Sequence, residues 1–250
     1  MSKTQAKTVG LARALSKMGV CSRAKAAQLI RGGKVRVNGG VRRDPETPVR
    51  LGRDRIEIDG ESVSAAKKIY LALNKPRGIV TTTSDEKGRE TVYSLLGPEL
   101  PWVAPVGRLD KASEGLLLLT NDSEWGAHIT APETHLTKTY HVQIGQIADE
   151  ALLETLKNGV RTKEGDTLRA KAASLLRQGE RNSWVEIILD EGKNRHIRRM
   201  LEALGVEVLR LIRVAIGPLA LGDLAKGGVR PLTAEERQML DRSMKQNTKI

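Results

Sequence analysis

The stretch GRLDKASEG (residues 107–115), continued by LLLLTND (residues 116–122), decides the fold of this chain and directs the search for its site. The leucines form an apolar run of the length of a buried strand. Arg108 and Asp110 stand just before that run, on a segment that the strand would hold in place. Catalytic side chains commonly lie on loops positioned by a rigid scaffold, so Asp110 is a candidate catalytic carboxylate. The plainer alternative is a turn-forming Asp beside a solvent-facing Arg.

The charge of the chain indicates a polyanionic partner. Its 250 residues carry a net charge of +12, and its pI is about 9.9. Residues 1–60 contain 14 Lys and Arg against 5 Asp and Glu, which is nine of the twelve net positive charges. This concentration favours a nucleic-acid-binding module at the N-terminus. Charge alone leaves an anionic membrane surface open as the alternative.

Several classes of protein are disfavoured by what the sequence lacks. With Cys21 as its single cysteine the chain forms no intrachain disulfide, and a cytoplasmic location is expected. Its polar start does not resemble a signal peptide, and no segment reaches the ~18 apolar residues of a membrane span. The histidines lack metal-ligand spacing, and there is no phosphate-loop or dinucleotide fingerprint. We therefore expect no metal, no cofactor, no membrane partner and a monomer.

The N-terminal segment reads as a small domain over residues 9–60. Helical spacing over residues 9–18 and 22–31 is followed by alternating strand patterns at residues 35–39 and 56–60. Ser22 stands where the cap of the second helix belongs. Residues 61–68 are small and polar, and are expected to form a linker.

From Ile69 onward, strands and helices alternate without a regular βαβ repeat. This predicts an α+β fold with a mixed, largely antiparallel sheet over residues 69–242, followed by a flexible tail at residues 243–250. The small N-terminal domain precedes it as an α/β unit. The expected strands are 69–73, 103–106, 116–119, 139–144, 168–176, 184–190 and 207–214, and the expected helices are 91–96, 122–129, 149–157, 194–204 and 233–240.

Two resemblances cover roughly residues 9–240. The GRLD motif with its Ser, Gly and leucine-rich strand resembles the catalytic motif of RsuA-type ribosomal-RNA pseudouridine synthases, with some likeness to the RluB type. Residues 19–54 resemble the S4 domain, an RNA-binding module. The resemblance implies that Asp110 is catalytic in isomerising a uridine, and that Arg108 displaces the flipped base or binds its phosphate. Whether Asp110 attacks the sugar, attacks the base or works through a glycal stays open.

Three further segments match the motifs of that family. In KTYHV (residues 138–142) the resemblance makes Tyr140 the ring that stacks on the flipped base, although a strand Tyr is more often part of a core. In EGKNRHIRRM (residues 191–200) it assigns Arg198 the ion pair with a buried Asp110. Within residues 209–213, Leu211 or Ile212 would pack under the uracil, or else belong to the sheet interior. KPRG (residues 75–78) is expected to shape a loop.

Basic side chains outside the catalytic motif are expected to contact RNA. Each alone could serve only solubility, but as a group they favour binding to phosphates. The expected RNA-binding residues are Arg23, Lys25, Arg31, Lys34, Arg36, Arg195 and Arg199.

The favoured hypothesis is a ribosomal-RNA pseudouridine synthase, with 23S large-subunit RNA preferred over 16S small-subunit RNA. The alternative is a noncatalytic ribosomal-RNA-binding assembly factor, which would not need a carboxylate facing anionic RNA. A glycoside hydrolase would need a second acid, and Glu114 and Asp122 are the available candidates. The basic N-terminal domain argues against it.

Overall fold

A computed structural model describes residues 8–82 and 88–247, which divide between two compact units. The first unit runs up to Tyr70 and includes residues Pro98–Ala104 and Leu119–Gly126. The second unit holds the other described residues. The two short inserted segments of the first unit were not anticipated from the sequence. Within the described ranges, no helix is long and apolar enough to cross a membrane.

The first unit contains the two predicted helices and a small antiparallel sheet. The Ser22 hydroxyl accepts a hydrogen bond from the Lys25 N–H at 3.1 Å, which confirms the predicted cap. Strand order is β3-β2-β5-β6. The elements are β1 (Val9–Gly10), α1 (Leu11–Lys17), α2 (Arg23–Arg31), β2 (Val35–Val37), β3 (Gly40–Arg42), β4 (Pro48–Val49), β5 (Ile56–Ile58) and β6 (Glu61–Ser62).

The predicted linker is partly structured. Its first two residues form β6, which pairs with β5. Near its other end, the Asn121 side chain donates to the Lys67 carbonyl and accepts from the Ile69 N–H, each at 2.9 Å. Asn121 is fully buried, so these bonds satisfy a polar group that would otherwise be costly to bury.

The second unit is built on one large mixed sheet. The nine-stranded sheet has the main order β13-β14-β10-β15-β9-β7-β17, with β16 beside β15 and β8 beside β9. Its elements are β7 (Tyr70–Lys75), β8 (Ala104–Val106), β9 (Glu114–Thr120), α3 (Ser123–Thr130), β10 (Lys138–Ile144), α4 (Glu150–Asn158), β11 (Val160–Arg161), β12 (Thr167–Leu168), β13 (Ala172–Gln178), β14 (Ser183–Leu189), α5 (His196–Ala203), β15 (Val208–Ile216), β16 (Leu219–Ala220), β17 (Val229–Pro231) and α6 (Ala234–Asn247), with 3-10 helices at Val92–Leu95 and Pro132–Thr134.

The core of this unit lies between the sheet and its helices. One face of β10, β14 and β15 packs against α4 and α5 through buried residues such as Val142, Val185, Leu211 and Met200. The period-two alternation of β14 places every second side chain in this core. The α+β prediction and the largely antiparallel sheet are confirmed.

The centre of the sheet is a parallel seam between β9 and β15. Ile212 pairs with Glu114 and Arg213 with Gly115, and all seven residues of β9 are buried. Gly115 has φ +100°, and a Cβ there would lie 2.8 Å from the Arg213 backbone nitrogen and closer still to its carbonyl oxygen. Only glycine lets the two strands approach this closely.

The C-terminal helix is longer than the sequence indicated. α6 continues to Asn247, and Met244 on it is buried. The expectation of a flexible tail is therefore wrong for residues 243–247, where helical packing of Met244 outweighs the polar composition. Residues 248–250 lie outside the described part of the chain.

Candidate active site

Asp110 lies on the loop between β8 and β9, and a buried lysine holds that loop. The Lys75 ammonium is fully buried and donates to the carbonyls of Pro76 at 3.0 Å, Asp110 at 3.2 Å and Ser113 at 2.9 Å. Burial lowers the pKa of Lys75 to about 8, although the charges of Asp110 and Glu114 oppose that shift. The loop is thereby fixed by its backbone, which leaves the Asp110 carboxylate free for chemistry.

Two further contacts fix the same loop. The Thr81 hydroxyl donates to the Leu109 carbonyl at 2.9 Å, and the Gly78 N–H donates to the Lys111 carbonyl at 2.8 Å. Leu109 is buried, whereas Arg108 and Asp110 on either side of it line a cavity. The loop-shaping role expected for residues 75–78 thus has a concrete form in Lys75 and Gly78.

The cavity has a volume of about 400 Å³. Tyr140 of β10 and Leu211 of β15 line it together with Asp110, so three of the predicted residues meet in one place. Ile212 lies on the other face of β15 and does not line the cavity. A space of this size, mostly apolar with a few convergent charges, is typical of a small-molecule or single-base site.

The ion pair expected between Arg198 and Asp110 is not the one observed. Arg195 places Nη1 3.9 Å from Asp110 Oδ2, whereas Arg198 Nη2 donates to the Ala112 carbonyl at 3.0 Å. Arg195 has a left-handed backbone, φ 49°, at the N-cap of α5, which turns its side chain away from the regular helical face. Arg198 thus contacts the backbone of the catalytic loop, and Arg195 supplies the nearer cation. Asp110 is also less buried than expected, with 32% of its side chain exposed.

The charge balance around Arg198 is strongly cationic. Burial lowers the pKa of Arg198, and the nearby charges of Arg195 and Arg77 lower it further, while Asp110 raises it. Arg108 and Lys193 line the cavity as well. A single half-buried carboxylate among so many cations stays ionised and available as a nucleophile or base.

Two other residues of this segment are structural. His196 is buried, and its Nε2 is 3.1 Å from the Arg169 carbonyl oxygen; burial lowers the pKa of its imidazole. Arg199 is held by the carboxylates of Glu164 and Asp166 at 3.0 and 2.5 Å, and also donates to the Thr162 hydroxyl at 3.2 Å. The expected RNA-binding role of Arg199 is therefore replaced by anchoring α5 to residues 162–166.

Sequence analysis missed two cations of the cavity, Lys138 and Arg213. Both line it, each standing two residues from a predicted site residue on the same strand: Lys138 from Tyr140, and Arg213 from Leu211. Side chains two apart on a strand share a face, so this spacing could have identified them.

The comparisons with known proteins agree with this geometry. The model of the RNA pseudouridylate synthase family matches residues 69–203, and that of the S4 domain matches residues 9–56. The chain belongs to the RNA pseudouridylate synthase family. The enzyme is accordingly an isomerase that acts on RNA, with an N-terminal S4 domain.

Relatives of this synthase match nearly the whole chain. Ribosomal large subunit pseudouridine synthase B of Bacillus subtilis is 39% identical over 231 residues, covering 92% of this chain and 94% of that protein. An uncharacterized RNA pseudouridine synthase of Rickettsia typhi is 40% identical over 225 residues, covering 89% and 91%. A crystal structure of a pseudouridylate synthase aligns with a TM-score of 0.66 at 29% identity, over 93% of this chain and 99% of that one.

The carboxylate of Glu114 of the synthase stabilises the seam rather than serving as a second acid. It is 5% exposed and accepts hydrogen bonds from Arg210 Nε and Nη2, both at 3.1 Å, and lies 3.2 Å from Lys226 Nζ. Burial alone would raise the pKa of Glu114, but the bonds from Arg210 and Lys226 hold it below its usual value. A doubly paired carboxylate is a poor proton donor, so the glycoside hydrolase hypothesis loses this candidate acid.

In the S4 domain, all five basic residues predicted to contact RNA are exposed. Lys34 Nζ lies 3.4 Å from Asp59 Oδ2, and Arg36 makes a long contact of 3.5 Å with the Gly39 carbonyl. Weak exposed contacts of this kind cost little to exchange for phosphate oxygens. The remaining members of the set are Arg23, Lys25 and Arg31.

Proposed function

We propose that this synthase converts a uridine of large-subunit ribosomal RNA to pseudouridine, with Asp110 as the catalytic carboxylate. The observation that carries the proposal is the meeting of Asp110, Tyr140 and Leu211 around one cavity. The preference for large-subunit RNA is supported by the Bacillus subtilis relative, whose name specifies that subunit. Ribosomal RNA as substrate also agrees with the basic S4 domain.

The chemistry asks for a base outside the helical stack. The target uridine is flipped into the cavity, where Tyr140 offers an aromatic face for stacking. Leu211 packs against the ring on β15. The bond between N1 and C1′ breaks, the ring turns, a bond forms between C5 and C1′, and the C5 proton leaves. Asp110 assists by attacking the sugar, attacking the ring, or removing a sugar proton; all three routes need an ionised carboxylate at this position.

The cations around the cavity hold RNA and the loop. Arg108 and Arg195 are exposed at the cavity and suit the phosphates flanking the flipped nucleotide. Arg198 positions the catalytic loop through Ala112. Arg23, Lys25, Arg31, Lys34 and Arg36 dock the RNA on the S4 domain. We expect the synthase to act as a monomer in the cytoplasm, where ribosomal RNA is found.

The test uses unmodified ribosomal RNA labelled with tritium at C5 of uridine. Pseudouridine formation releases this tritium, so stoichiometric release from 23S RNA by the parent, and none by Asp110→Asn, is the expected result. Release from 16S RNA alone would contradict the choice of subunit. Tight binding without release from either RNA would favour the noncatalytic assembly factor.

A further inference from the structure

The buried guanidinium of Arg213 has an unused donor inside the cavity. Arg213 is 6% exposed, and its Nε donates to the Leu116 carbonyl at 2.7 Å. Its Nη2 is buried without a hydrogen-bond partner among the residues that the structure describes. An unsatisfied donor on a buried charge is expensive, and such groups in active sites commonly await a ligand.

A second cation accompanies Arg213. The register places Arg213 beside Tyr140 on the adjoining strand, and Lys138 stands two residues before Tyr140 on the same face. Burial lowers the pKa of Lys138, and the charge of Arg213 lowers it further, while Asp190 opposes the shift. Two partly desolvated cations close together repel one another unless something negative comes between them.

The chemistry of the proposed reaction supplies such a negative group. When the N1–C1′ bond breaks, its electron pair stays on N1, and the resulting uracil anion spreads its charge onto O2 and O4. If Asp110 instead attacks C6, the electrons of the C5–C6 double bond move onto O4. Either route places negative charge on a ring carbonyl oxygen. That charge disappears when the ring bonds to C1′ through C5 and the C5 proton leaves.

We propose that Arg213 and Lys138 bind the carbonyl oxygens of the flipped uracil and stabilise the negative charge that the ring acquires. The inference rests on the proposed function and assigns two catalytic residues to it. Donors aimed at a site of developing charge in a water-poor cavity accelerate reactions strongly. The arrangement also favours uracil over cytosine, because a guanidinium only donates and cytosine carries an amino donor in place of O4.

The first experiment compares Arg213→Gln and Lys138→Gln with the parent by single-turnover conversion and by RNA affinity. Arg161→Gln is the matched control, since Arg161 is exposed on β11 and does not line the cavity. We expect each cavity variant to convert RNA about 10²–10³-fold more slowly, the cost of removing one such donor. RNA affinity should change about as little as in the control. Weakened affinity with an unchanged rate would overturn the proposal and indicate a backbone-phosphate contact.

The second experiment identifies the bonded atom. RNA made with 2-thiouridine or 4-thiouridine replaces one ring oxygen by sulfur, a weak acceptor. The parent should be slowed by at least one replacement, and Arg213→Gln should not be slowed further by the same one. Independent, multiplicative losses for both replacements would overturn the inference.

Folding and the proposed function are controlled separately. Arg213→Lys keeps the charge and should recover part of the rate, and Lys138→Gln carries the test if the buried Arg213 variants fail to fold. If the parent converts no ribosomal RNA, the proposed function fails together with this inference. If the parent converts RNA and both glutamine variants match its rate, only the inference fails.

Discussion

Replacing Gly115 by Ala tests whether close approach at the parallel seam builds the site. The new Cβ would lie 2.8 Å from the Arg213 backbone nitrogen and closer to its carbonyl oxygen, so strand backbone has to move. Overpacking of this kind costs about 1–3 kcal/mol. The left-handed backbone of an alanine adds about 1–2 kcal/mol, and the stiffer unfolded chain returns about 0.4–1 kcal/mol. We expect Gly115→Ala to lower the free energy of unfolding by about 2–4 kcal/mol.

Gly165→Ala is the matched control. Gly165 has φ +92°, close to that of Gly115, but a Cβ there meets nothing within 4 Å. It should cost only the backbone strain, about 1 kcal/mol. Urea unfolding of both variants, followed by fluorescence and circular dichroism, gives the difference. Equal losses for the two variants would refute the argument from close approach.

The activity of Gly115→Ala should fall more than its stability requires. Moving β9 away from β15 shifts Arg213 and the loop that carries Asp110, so the folded fraction itself should convert RNA more slowly. Conversion is measured in conditions where both variants are folded. Full activity in folded Gly115→Ala would show that the seam does not set the geometry of the cavity.

Three further outcomes are expected. Glu114→Gln should destabilise the synthase at neutral pH, and the difference from the parent should shrink below about pH 4.3, because the lowered pKa of Glu114 stabilises the fold only while the unfolded carboxyl is ionised; a pH-independent difference in urea unfolding would contradict this. The parent should gain up to about 3 kcal/mol over Lys75→Met as the pH rises from about 8 towards 10.4, because only the unfolded state then keeps the Lys75 proton; parallel stability curves would exclude it. Arg199→Gln should lose about 1 kcal/mol of stability and no RNA affinity, whereas Lys25→Gln should lower affinity and its salt dependence by about one phosphate contact without changing stability; filter binding and unfolding that give the reverse pattern would overturn both assignments.

The sequence predicts those features that depend on local pattern. The cap at Ser22, the leucine strand of β9 and the amphipathic α5 follow from spacing and side-chain chemistry within a few residues. Asp110, Tyr140 and Leu211 were found because each belongs to a recognisable motif. Ile212 was kept as an equal alternative to Leu211, since the sequence does not reveal which face of β15 meets the cavity.

What the sequence did not predict depends on contacts across the chain. Arg198 was paired with Asp110 because helical spacing ignores the left-handed turn at Arg195. Arg199 was assigned to RNA because its partners, Glu164 and Asp166, lie more than thirty residues earlier. Arg213 seemed part of a basic strand edge, and its burial follows only from the pairing of β15 with β9.

The parallel seam also has a consequence for the order in which the molecule matures. Arg213 and the carbonyl that it bonds on β9 are 97 residues apart in sequence, and bringing such distant segments together costs about 4 kcal/mol of chain entropy. Contacts of this range form late in folding. A nascent chain that has already made the hairpins of β10, β13 and β14 would still lack Leu211 and Arg213. Catalytic competence should therefore appear last, after the RNA-binding surface of the S4 domain has formed.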